Sequence, residues 1–170
     1  MKFKFILLSL IFLVNTACTE PDGGDFTTTT EEAEQITPPI IDMACSSSTA
    51  TRCAAGVNGN KVLALLLDSS SNIAAAQILD LTCDGSGCGA TFTSNSWEST
   101  TSANVTEISA GTYTISIYLD INGNASTLAD IGGNFNESGT DATCFMGSGA
   151  VSLTTSSQAF GSSSLTCINF

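Results

Sequence analysis

The clearest pattern along the chain is the alternation over residues 111–120, GTYTISIYLD. Tyr113, Ile115, Ile117 and Leu119 alternate with Thr114, Ser116 and Tyr118. This period of two predicts a strand with one buried face. Residues 62–67 are instead continuously apolar, which predicts a central strand buried on both faces. Weaker strand signals lie over 90–93, 103–109, 150–154 and 164–170, and Val105 is separated from Ile108 by Thr106 and Glu107. Turn dipeptides punctuate these runs at Asn58-Gly59, Asp84-Gly85, Asn122-Gly123 and Gly132-Gly133. Residues 72–81 read two ways. Three alanines fit a helix capped by Ser71 or Asn72, whereas a strand over 76–83 lets Cys83 and Cys88 flank a tight turn. The strand is the preferred reading. Several short strands at this spacing predict an all-β, antiparallel sandwich of about seven strands, occupying residues 45–170.

The first 44 residues have a different character. Lys2 and Lys4 precede an apolar run over 5–14 interrupted only by Ser9. Ten residues of helix span about 15 Å, roughly half the hydrocarbon thickness of a bilayer. A cleaved export signal over 1–17 is therefore expected, not a transmembrane anchor. Asn15-Thr16-Ala17-Cys18 follows and resembles the lipobox of bacterial lipoprotein precursors. Thr16 and Ala17 match the pattern, while Asn15 stands where Leu is usual. The resemblance implies that Cys18 becomes a lipid-bearing N-terminus, with the bilayer as a partner. Thr19 after that cysteine, in place of Asp, resembles outer-membrane sorting in a Gram-negative cell. Residues 18–44 are then a linker: seven acids without a base, a Thr27–Thr30 run and Pro38-Pro39 favour an extended, solvated tether.

Composition narrows the chemistry. The 170 residues hold 4 basic and 16 acidic side chains, 7 cysteines and no histidine, for a net charge of −12. Without His there is no Ser-His-Asp triad, no Cys-His pair and no HExxH zinc site. So acidic a chain is a poor ligand for nucleic acid, which needs Lys and Arg to neutralise phosphate. An odd cysteine count in an exported chain requires an explanation, and acylation of Cys18 leaves six. Cys45 with Cys53, Cys83 with Cys88 and Cys144 with Cys167 are neighbours in sequence, and nearest-neighbour pairing is the expectation among fifteen connectivities. Residues 83–88, CDGSGC, have no second closely spaced pair to complete a zinc site.

The run AGTYTISIYLDINGNASTLADIG, residues 110–132, resembles a motif of prealbumin-like and other Ig-like β-sandwich modules in bacterial surface lipoproteins. That resemblance implies an Ig-like or prealbumin-like sandwich with an accessory, non-catalytic role. Asp120, Asn122 and Asn124 are spaced like the start of a calcium loop, with Asp130 as a further acid. Against calcium, Ala125 replaces the usual turn glycine and Ile131 the closing Glu. A type I′ hairpin turn at Asn122-Gly123 demands the same residue types without any metal. Trp97 in a polar stretch and outward-facing Tyr118 are candidates to stack on sugar rings, and Trp97 has the alternative of a buried anchor.

The expected function is a lipid-anchored structural or binding module of the bacterial envelope, not an enzyme, with an unknown protein or glycan partner. No cofactor is expected, calcium being the open alternative. The alternatives are a calcium- or carbohydrate-binding adhesin-like domain and a small hydrolase working with carboxylates alone.

Overall fold

The structure is a computed structural model and describes residues 32–170 apart from 100, 103, 132 and 136. The leader over 1–17 and Cys18 lie outside the described residues. The continuously apolar run forms β3 (Lys61–Leu67), buried over its five inner residues. It is paired with β4 (Ile73–Asp80) on one side and β8 (Gly111–Leu119) on the other. The alanine-rich stretch is a strand and not a helix, but it runs over 73–80 in place of the expected 76–83, and Thr82–Cys83 belongs to another sheet. A five-stranded antiparallel sheet is completed by β9 (Ala142–Leu153) and β11 (Leu165–Asn169), in the order β11-β9-β8-β3-β4.

A four-stranded sheet has the order β10-β2-β6-β5, where β2 is Ile40–Ser46, β5 Thr82–Cys83, β6 Gly87–Phe92 and β10 Ala159–Phe160. Its β10–β2 contact is parallel, while β2–β6 and β5–β6 are antiparallel. Two-residue strands β1 (Gln35–Ile36) and β7 (Ile108–Ser109) pair with each other. The helical elements among the described residues are three short 3₁₀ turns, Thr51–Ala55, Leu128–Asp130 and Ser162–Ser164. The fold is all-β.

One apolar core takes Ile41 and Met43 from β2, Phe92 from β6, Val62 and Leu66 from β3, and Ile115 and Ile117 from β8. The alternation expected for β8 is met: Tyr113, Ile115, Ile117 and Leu119 are all buried. The opposite face of β3 presents Leu63 and Leu65 to a second cluster with Ala76, Ala125 and Phe135.

Three sequence expectations need correction. Two segments assigned to the tether are strands, β1 and β2, and Ile36, Ile41 and Met43 are core residues. Ile41, Met43 and Cys45 are spaced by two, a strand pattern masked in the sequence by adjacent acids and prolines. The strand expected over 103–109 shrinks to Ile108–Ser109 plus a single bridge at Val105. Val105 and Ile108 are three residues apart and point to opposite faces of any one strand. The Asn122-Gly123 turn is not a type I′ hairpin. That turn needs two residues at positive φ, and among the central pair Gly123 alone adopts it, at φ 77°.

All three disulfides follow nearest-neighbour pairing: Cys45–Cys53, Cys83–Cys88 and Cys144–Cys167. The last two join residues directly opposite on adjacent strands. The first ties β2 to the Thr51–Ala55 turn. Gly56 follows that turn, and a Cβ there would run into the sulfurs of both Cys88 and Cys83. Packing of the turn against the neighbouring bridge requires glycine.

Glu98 bridges Ala76 on edge strand β4, which places Gln77 opposite Trp97. Both side chains are buried, and neither Gln77 Oε1 nor Trp97 Nε1 finds a partner among the described residues. Leaving a polar atom buried and unpaired costs about 1–3 kcal/mol. Gln77→Leu is therefore expected to raise the denaturant midpoint, with a gain of about 1 kcal/mol. A fall in the midpoint would show that the amide is satisfied in solution.

Candidate functional site

The Asp/Asn-rich segment between β8 and β9, residues 120–141, lies over the outer face of the five-stranded sheet. Ala125 and Phe135 bury themselves against Leu63, Leu65 and Ala76, with Leu128 and Ile131 packed at the margin. The segment has no strand of its own among its described residues, so its backbone N–H groups need other acceptors. Its carboxylates supply them. Asp120 is fully buried; its Oδ1 accepts from the N–H of Gly123 at 2.8 Å and Asn124 at 3.2 Å, and its Oδ2 from Ala125 at 2.9 Å. Asp130 Oδ2 accepts from the N–H groups of Ser126 and Thr127, each at 2.9 Å. Asp141, also fully buried, accepts from Ile121 N–H at 3.1 Å and Glu137 N–H at 3.0 Å.

The expected calcium ligands are thus distributed through this bracing. Asn122 and Asn124 are exposed, Asn122 Oδ1 accepts from Asn124 N–H at 3.2 Å, and Asn122 Nδ2 donates to Glu137 at 2.5 Å. Asp120, Asn122 and Asp130 each have an oxygen engaged by the loop's own backbone. The two-residue spacing that suggested a cation loop is also the spacing that lets one carboxylate gather several consecutive amides.

The electrostatics agree with this role. Backbone N–H bonds from Ser126 and Thr127 hold the Asp130 carboxyl below its ordinary value. Hydrogen bonds from Asn72 do the same for Asp68 in the β3–β4 turn, and from Ser86 for Asp84 in the β5–β6 turn. Asp141 differs: burial pushes its carboxyl up against two lowering N–H bonds, and the charges of Asp120 and Glu137 add to the rise.

Trp97 takes the buried-anchor alternative, which corrects its candidacy for sugar stacking. Its indole is fully buried and packs on Phe92 at a centroid separation of 6.3 Å, so neither ring face is open to a sugar. Tyr118 is half-buried on the outer face of β8, beside the second cluster. The structure does not bring these two residues together, since Trp97 belongs to the core between sheets.

Sequence reasoning missed an open cavity of about 590 Å³ between β4, residues 96–98 and the Ser126–Ala129 stretch. Lys61 and Glu98 supply its charges, Ser96, Ser126 and Thr127 its hydroxyls, and Ile78 and Leu128 an apolar floor. Lys61 is ion-paired to Asp80. These residues come from four separate stretches of chain, and no local pattern marks them.

No family model matches the chain, and no curated protein and no solved structure matches it either.

Because the folded state raises the Asp141 pKa, it holds that proton more tightly than the unfolded chain does. This stabilisation is complete below the unfolded value and is lost as pH rises through the folded one. The stability of the parent relative to Asp141→Asn is expected to fall as pH climbs from the acid range towards neutrality. Denaturant titrations across that range check the sign; a relative rise would refute it.

Proposed function

We propose that the chain is a lipid-anchored protein of a bacterial cell envelope, whose β domain is a non-catalytic structural or binding module. The observation that carries this reading is the closure of six cysteines into three bridges within the fold. Cys18 is the cysteine left over, and it follows an apolar leader and a lipobox-like Thr16-Ala17. Three disulfides suit an oxidising compartment. The Tyr113 hydroxyl donates to the Ser109 carbonyl at 2.6 Å, four residues upstream. Ig-like sandwiches use contacts of this kind at a strand corner, which supports the Ig-like or prealbumin-like reading.

The non-catalytic reading rests on the absence of histidine and on the use of the acids. Asp120 and Asp141 are sealed from solvent, and Asp68, Asp84 and Asp130 brace turns. A carboxylate hydrolase would need two acids facing one cleft; the large cavity holds Glu98 as its acid. A carbohydrate-binding variant of the module draws on that cavity, where hydroxyls surround an apolar floor, and on Tyr118. A calcium-binding variant draws on Asp120, Asn122, Asn124 and Asp130.

Mass spectrometry of the chain matured in a bacterial host is expected to show a diacylglyceryl group on Cys18, and Cys18→Ala is expected to abolish membrane fractionation. An unmodified N-terminus elsewhere would overturn the anchor. Millimolar Ca²⁺ is expected to leave the melting temperature of the β domain unchanged, because the loop amides already occupy the carboxylates. A clear upward shift, lost in Asp130→Ala, would favour the calcium variant.

A further inference from the structure

Cys45 lies on β2, Cys144 on β9 and Cys167 on β11, so the three come from two different sheets. Their Sγ atoms all lie within 4.8 Å of one another. All three residues are buried, with exposures of 2%, 0% and 4%. Cys45 is bonded to Cys53 and Cys144 to Cys167, so two disulfides meet sulfur to sulfur inside the core. The Sγ of Cys167 also lies 3.8 Å from the carbonyl of Ala44, next to Cys45 in β2. The third bridge, Cys83–Cys88, contributes no member to this trio.

We propose that Cys45, Cys144 and Cys167 form a thiol–disulfide exchange site, at which Cys45 takes over one end of the Cys144–Cys167 bond after its own bond to Cys53 opens. The opening requires a dithiol reductant. It gives two electrons and two protons to the Cys45–Cys53 bond and becomes a disulfide itself. Cys45 then loses its proton, and the thiolate attacks Sγ of Cys144 or Cys167. One S–S bond forms, one breaks, and the departing sulfur leaves as a thiolate that takes up a proton. The exchange itself consumes no electrons.

The product differs from the starting state in what it connects. Cys45–Cys53 ties a strand to a local turn, and Cys144–Cys167 ties two strands of one sheet. A Cys45–Cys144 or Cys45–Cys167 bond instead joins the two sheets covalently. The loop it closes is also far longer in sequence, which removes more entropy from the unfolded chain. Cys53 is fully buried, so the reductant reaches it when the Thr51–Ala55 turn opens. That turn is a short 3₁₀ helix, held at its start by the Asn169 side chain, whose Oδ1 accepts from Arg52 N–H and whose Nδ2 donates to Thr51 Oγ1.

The test removes the need for a reductant. Cys53→Ser is introduced into the full chain, together with Cys18→Ala so that no further thiol competes. The protein is held at mildly alkaline pH, quenched in acid, alkylated and mapped as peptic peptides by mass spectrometry. The alkyl label is expected to divide between Cys45 and Cys144 or Cys167, with peptides cross-linked through Cys45 present. A label confined to Cys45, with Cys144–Cys167 intact, overturns the proposal. Cys45→Ser leaves Cys53 as the free thiol, outside the trio, and its label is expected to stay on Cys53. Spread of the label there too would mean exchange through general unfolding, and would equally overturn it. If Cys53→Ser fails to fold, the Cys18→Ala chain with all three disulfides is treated with limiting dithiothreitol and mapped in the same way. Cross-links through Cys45 to Cys144 or Cys167 are then expected while Cys83–Cys88 is still closed, and their absence refutes the site.

Discussion

The two-sided burial of β3 sets the terms for the rest of the molecule. Val62, Ala64 and Leu66 face the core shared by the larger sheets, while Leu63 and Leu65 face the other way. A sheet that leaves two leucines and an alanine bare on its outer face would expose a contiguous apolar patch. At about 25 cal/mol per Å², covering that surface is a substantial part of what holds the domain together. The cover is the long β8–β9 connection, which is why a segment so rich in Asp, Asn and Gly carries Ala125, Leu128, Ile131 and Phe135 at intervals.

Covering a sheet with irregular chain creates a second requirement. Backbone amides that join no ladder still need acceptors when water is excluded. Asp120 and Asp141, buried at the two ends of the β8–β9 connection, accept five N–H groups between them. Asn60 works in the complementary sense, its Nδ2 donating to the carbonyl of Ile121 at 2.7 Å. Much of the acidity of this domain is thus local architecture: carboxylates are the densest available acceptors for amides that cluster in turns.

The strands that could be read from sequence were those with a clean period or a continuous apolar run, β8 and β3, because burial on one or two faces writes itself into neighbouring residues. The nearest-neighbour disulfides were legible for a related reason, since two of them span adjacent strands. β2 was hidden by its surroundings: Asp42 sits on its exposed face and Pro38-Pro39 just before it, so composition spoke for a tether. The fate of Trp97 depended on a bridge between Glu98 and Ala76, a contact between residues far apart in the chain. Asp120 stood out in the sequence as a candidate cation ligand, and in the fold it gathers three backbone amides; spacing does not distinguish a cation from a set of amide protons. The cavity beside Lys61 and the meeting of Cys45 with Cys144 and Cys167 arise from tertiary packing alone.

The two cations of the β domain, Lys61 and Arg52, are both engaged within the fold. Lys61 is held by Asp80, and the Arg52 guanidinium donates to the backbone carbonyls of Asp141 and Phe170. With two bases against many more acids, the surface of the domain is predominantly acidic. Two such molecules, or one molecule and an anionic lipid surface, repel each other over distances set by the surrounding salt. The reach is about 8 Å at physiological ionic strength and about 30 Å at 0.01 M. In dilute media the protein keeps its neighbours at a distance, and any partner that approaches closely must bring its own positive charge or enter through an uncharged face.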